Sequence, residues 1–207
     1  MNGTENQQVI AENTAAKTGK AKPMRPAGLF RRLAREKGGA TAIEFAILAL
    51  PFFVVTFASI ETFVAFFGEQ VLANANDTMA RKIRTGEVTF GLGRTTDKTK
   101  DQFRELYCDE ISFFLSCDTD RLYIDVRSFT TFADIPTEIP RTGTDLNTAT
   151  VFTPGGAEKI NVVRSYYRWE VMTDLVRPYV TKLRSAGSSM PHDYLMVATN
   201  TVVNEAY

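Results

Sequence analysis

A carboxylate interrupts an otherwise uncharged apolar run. Glu44 lies five residues after Gly39 in the line Lys37-Gly38-Gly39-Ala40-Thr41-Ala42-Ile43-Glu44-Phe45, and residues 45–60 that follow carry no charge. An ionised side chain in a membrane helix costs roughly 2.5–3.5 kcal/mol on insertion scales, so it marks a task or a partner. The chemistry a carboxylate here offers is charge pairing with a nearby amine. Gly38-Gly39 leaves the backbone extended and open to a peptidase. Cleavage after Gly39 would free the α-amine of Ala40, whose pKa of about 8 keeps it largely protonated at neutral pH. Glu44 stands one helical turn away. Its carboxylate could neutralise the amine within a subunit or pair with that of a neighbour, fixing the axial register of adjacent helices. In low dielectric each charge strongly needs its partner. Glu61, the next acid, either pairs across helices or marks the outer boundary of the membrane span.

Other chemistry is sparse. Cys108 and Cys117 are the only cysteines. They lie outside the apolar segment, and a chain that carries them across a membrane places them in an oxidising compartment, which favours a disulfide. Closing a loop of about 10 residues contributes ~2–3 kcal/mol in the chain-entropy model. Two cysteines and the distant, single His192 do not make a metal site, so no metal or cofactor is expected. His192 reads as a surface turn residue. Ser188-Ser189 lack a nucleophile-elbow pattern, and the glycines at 91, 93, 155 and 156 have turn spacing rather than that of a phosphate loop. Trp169 sits in a strand pattern and is expected to pack. No catalytic constellation emerges, and an enzyme is not expected.

The elements that must hold Glu44 follow from charge and hydropathy. The 24 basic and 24 acidic residues cancel overall, but eight Lys/Arg and only three acids fall within residues 1–39. Residues 38–80 contain no Lys or Arg. A basic flank on one side of an apolar span keeps that side cytoplasmic. The same position favours a topological over a nucleic-acid role for the basic leader, and the acidic remainder offers no phosphate-binding surface. The apolar run exceeds a signal-peptide h-region, and the small-x-small triplet Ala73-Asn74-Ala75 lies far beyond its end.

Residues 1–28 read as a disordered leader, and helix formers occupy 29–35. From residue 40 one helix is expected to run to about 85, with 40–67 crossing the membrane and 68–86 continuing beyond it. Pro51 removes one backbone donor and should bend it. Val64, Gly68, Val71, Ala75, Met79 and Ile83 recur at three- and four-residue steps as an apolar stripe. Gly86 is the expected stop. Residues 87–207 have α+β composition: a helix capped by Thr96 or Asp97 and running to about 115, strands at 122–129, 160–171 and 193–203, an irregular connection at 133–159, and a helix or turn at 173–183 broken by Pro178. Together these predict an α+β fold, with a small antiparallel sheet lying against the long N-terminal helix.

The stretch REKGGATAIEFAILALPFFVVTFASIETFVAF resembles TadE-type pseudopilins, minor pilin-like components of tight-adherence (Flp) pilus systems. The processing site likewise resembles that of type IV prepilins: a basic leader, Gly39, then an apolar helix with Glu44 at its fifth position and Glu61 near its end. The resemblance implies a pilin-like architecture and cleavage of residues 1–39 by a prepilin peptidase between Gly39 and Ala40. It also implies partnership with other pilins or pseudopilins and the pilus assembly platform. The implied location is the bacterial inner membrane, with a single pass, a cytoplasmic N-terminus, a periplasmic C-terminal domain and an association with the pilus. The implied role is pilus assembly for adhesion and biofilm formation. An uncleaved signal-anchor protein with a periplasmic ligand- or partner-binding domain is the competing reading. The terminal Asn-Glu-Ala-Tyr differs from the family's Asn-Glu-Pro-aromatic ending at Ala206.

Overall fold

The computed structural model describes residues 39–172, 177–181, 183–184 and 191–207. The expectations for the leader, for Ser188-Ser189 and for residues 173–176 and 182 lie outside the described residues. The chain divides into two compact units with their boundary between Phe52 and Phe53.

Helix α1 spans Ala40–Arg84 and includes Pro51. Two of its hydroxyls are satisfied locally: Ser59 donates to the Val55 carbonyl at 2.8 Å and Thr62 to that of Ala58 at 2.9 Å. Such i−4 bonds let polar side chains sit in an apolar stretch without open donors. Arg81, Lys82 and Arg84 occupy the last turn, where cations complement the helix dipole. Gly86, at φ +76°, then turns the chain into the left-handed region that ends helices. The stop is the one expected.

The second unit folds around the latter part of α1. Helix α2 spans Lys100–Ile111 and begins with a capping box between Thr99 and Gln102. The expected cap at Thr96 or Asp97 is therefore displaced. Both side chains bond instead to Thr89, and Asp97 also accepts from the backbone of Gly93 and Arg94, closing the turn over 89–97.

Strands β1 (Leu122–Phe129), β4 (Val151–Thr153), β5 (Ile160–Glu170), β6 (Leu183–Arg184) and β7 (Pro191–Val203) form a sheet of order β4-β1-β5-β7-β6. The expected antiparallel sheet is present in β1-β5-β7-β6, and β4 joins its edge in parallel to β1. A small antiparallel pair, β2 (Arg141–Thr142) with β3 (Asp145–Leu146), and the strand β4 both lie inside the stretch expected to be irregular. His192 belongs to β7 rather than to a surface turn. A short helix α3, Arg177–Val180, occupies the region broken by Pro178.

Alternation in β1 sends Leu122, Ile124 and Val126 into the core, while β5 is buried along both faces. The core gathers Leu72, Ala75, Met79 and Ile83 of α1 with Phe103, Tyr107 and Ile111 of α2, against Val163, Tyr167 and Met196 of the sheet. Burying each large apolar side chain contributes ~1.5–3 kcal/mol. Polar ties fix the register of α1 on the sheet and of α2 on α1. Asn76 donates to the Val163 carbonyl at 3.0 Å, Asn200 to Asp77 at 2.8 Å, and Tyr107 to the Leu72 carbonyl at 3.3 Å.

Candidate functional site

Gly39 immediately precedes α1 and Ala40 is its first residue. Glu44 follows one turn later on the same helix, the spacing at which helical side chains meet. It is exposed, flanked by the exposed Ile43 and Phe45, with Ile47, Leu48 and Leu50 exposed beyond it. One carboxylate thus projects from a sleeve of apolar side chains.

In the second unit the sleeve continues through Phe53, Val55, Phe57, Ile60, Phe63, Phe66 and Phe67, all exposed. The sleeve belongs to one helix long and apolar enough to cross a membrane, and the apolar window of that helix is not buried anywhere. A helix apolar on most of its circumference needs lipid or other helices around it.

Glu61 sits on the face turned towards the domain. Its Oε1 accepts the Met172 backbone N–H. Two turns on, Glu69 accepts the Tyr194 hydroxyl at 2.6 Å. That bond to a carboxylate, with burial, pushes the Tyr194 phenol up to about 12. Between these contacts lies a largely apolar cleft of about 300 Å³, whose lining includes Ala58, Ala65, Phe66, Trp169, Val171 and Val180. Small residues on the helix and large ones on the strand create this recess. Glu61 therefore pins the domain to the helix where the uncharged run stops.

Cys108 and Cys117 are disulfide-bonded, with Cα atoms 5.7 Å apart. The bond closes the turn after α2, where Phe114 meets Phe67 edge-on at 4.7 Å and stacks 6.1 Å from Trp169. Trp169 packs as its strand pattern predicted. Among the described residues no three His, Cys, Asp or Glu side chains gather to hold a metal ion.

Sequence reasoning missed the role of the last residues. Asn204 is buried and donates to the Gly155 and Gly156 carbonyls and to the Tyr207 hydroxyl. Glu205 pairs with Arg84 at 3.4 Å. The Tyr207 ring lies against Gly86, with Arg94 stacked 5.1 Å from its centroid. Their polar character gave no signal of this, because every partner except the local Asn204–Tyr207 pair is distant in sequence.

A long apolar N-terminal helix carrying a mixed α/β domain, closed by one disulfide, defines the class of chain: a helix suited to single-pass membrane anchoring with a folded domain at its end. Residues 39–81, the greater part of that helix, match the model of the TadE-like protein family, a likeness carried by the helix. Neither a curated protein nor a solved structure matches the chain.

Proposed function

We propose that the chain is a minor pilin or pseudopilin of a Tad/Flp pilus, made as a precursor and cut by a prepilin peptidase between Gly39 and Ala40. The basic leader stays cytoplasmic, residues 40–67 cross the inner membrane, and residues 68–207 lie in the periplasm. The mature subunit joins other pilins or the assembly platform and serves adhesion and biofilm formation. The observation that carries this reading is the position of Glu44, exposed within the apolar sleeve one turn after the first residue of α1.

The processed Ala40 amine and Glu44 carry opposite charges. In lipid or within a helix bundle each offsets the desolvation of the other. An amine paired with Glu44 of a neighbouring subunit sets the axial register of the two helices. An amine paired with its own Glu44 lowers the cost of sliding out of the bilayer.

Intact-mass measurement on membranes from cells with an active prepilin peptidase tests the proposal. The expected species begins at Ala40, and it disappears on Gly39→Val. Full-length chain alone would reject processing and leave a signal-anchor protein. Glu44→Gln should still be cut but should fail to enter the pilus assembly. Incorporation at the wild-type level would reject the pairing role.

A further inference from the structure

Two exposed apolar side chains of the second unit have no role in its core. Phe113 is 71% exposed and Met172 is 84% exposed, although each sits in a segment anchored to α1. Phe113 is in the uncharged run 111–117, in the loop that the Cys108–Cys117 disulfide closes. The next two residues turn inwards: Phe114 packs on Phe67, and Phe114 and Leu115 both approach Gly68. Met172 follows β5, and its backbone N–H is held by Glu61. Both loops therefore meet α1 between Glu61 and Gly68, where its uncharged run has just ended.

We propose that this base of the domain is a membrane-interface foot: Phe113 and Met172 insert into the headgroup and acyl boundary of the same bilayer that α1 crosses. The inference rests on the reading of residues 40–67 as a membrane span, and the two loops meet α1 at Glu61, Phe67 and Gly68, beside its exposed Phe63 and Phe66. Side chains of the base suit that level. Trp169 and Tyr194 are amphipathic residues of the kind enriched at membrane interfaces. Glu61 and Glu69 accept hydrogen bonds from Met172 and Tyr194, which lowers the cost of placing carboxylates there. Just above the loop, Arg121 bridges Glu170 at 3.0 Å and Asp118 at 3.9 Å, giving a polar rim for the headgroups. The disulfide gains a function in this arrangement: it stiffens the loop so that Phe113 points out while Phe114 and Leu115 hold it to the helix.

The test uses the full chain with Trp169→Phe, reconstituted into phosphatidylcholine vesicles that carry no bromine, bromine on the acyl chains near the headgroup, or bromine near the chain ends at the bilayer centre. Separate variants carry Phe113→Trp, Met172→Trp, Phe53→Trp as a reference within the span, and Phe132→Trp as a distal control. Phe132 is exposed and lies beyond the end of β1 that pairs with Ile160, away from Trp169. Far-ultraviolet circular dichroism and a cooperative urea transition like those of the parent chain confirm that each variant is folded. The expected result is loss of about half of the emission at positions 113 and 172, as for side chains about 5–10 Å into the boundary, with no loss at 132. Quenching at 53 without quenching at 113 and 172 would overturn the foot and leave the span intact. Unquenched but blue-shifted emission at 113 that grows with the protein-to-lipid ratio would assign the surface to a second copy and also overturn it. Absence of quenching at 53 would overturn the span, and the foot with it.

Discussion

Residues 43–67 and 71–83 of α1 draw on the same apolar vocabulary but arrange it differently. In the first stretch phenylalanine, leucine and isoleucine cover most of the circumference and are exposed. In the second, Val71, Leu72, Ala75, Met79, Ala80 and Ile83 are buried, and Asn74, Asp77 and Arg81 face outward. The striped stretch finds its partners within the chain. The sleeve requires partners from outside it. Apolar content alone does not separate the two. The periodicity of the polar positions does, because a stripe can be covered by one domain and a sleeve cannot.

The sharpest way to break this comparison is to truncate one residue of each kind. Leu72→Ala in the stripe should lower unfolding free energy by about 2–5 kcal/mol. Phe63→Ala in the sleeve should change it by no more than about 0.5 kcal/mol. Urea titration of the full chain in detergent, followed by Trp169 fluorescence, measures both. Equal losses would mean that the sleeve also packs against the domain. Next in size is the double change Cys108→Ser with Cys117→Ser, expected to cost about 2–3 kcal/mol through the freed loop in the same titration. A negligible loss would show that Phe114 and Leu115 hold the loop to α1 without the disulfide. Gly86→Ala probes where the stripe ends. A side chain at φ +76° costs about 1–2 kcal/mol, and its Cβ would also fall 2.8 Å from the Tyr207 ring. Adding Tyr207→Ala to Gly86→Ala should remove the clash and keep the backbone cost. Measured against Tyr207→Ala alone, a double change that costs as much as the two single changes together would show that the ring moves aside freely.

Local patterns made much of this legible in the sequence. The stripe from Gly68 to Ile83, the stop at Gly86, the alternation of β1 and the aromatic, β-branched β5 all depend on near neighbours along the chain, whereas Val64, expected on the stripe, is exposed with the sleeve. So did the pair of cysteines. The features that escaped depend on distant partners. The three residues of β4 form a strand because β1 offers its edge at Asp125–Arg127, and nothing within Val151–Thr153 announces that. Thr96 and Asp97 have cap chemistry, yet Thr89 captures both and leaves the capping box to Thr99 and Gln102. His192 sits between a proline and an aspartate, which looks like a turn, but pairing of β7 along β5 takes it into the sheet. Within the candidate site, Glu44 and Glu61 stood out because each breaks an apolar pattern. Glu69, Tyr194 and Met172 did not, since their roles appear only when helix and sheet meet.

The smallest expected effect concerns the point where sleeve gives way to stripe. Tyr194 donates to Glu69 there, and its phenol is held up at about 12, first by that carboxylate and then by burial. An unfolded tyrosine titrates near ~10, so the folded state favours the neutral phenol. The stability from this bond is therefore fully present below pH ~10 and is lost as pH rises from there through about 12. Tyr107, buried and also raised, adds to the same alkaline slope, so the informative quantity is the difference between the parent chain and Tyr194→Phe. Unfolding measured at several pH values across that window should show a shallower decline in the variant, and phenolate absorbance should lose one late-titrating group. Superimposable declines would mean that Glu69 does not hold Tyr194 in solution. The boundary between the two stretches would then rest on Glu61 and Met172 alone.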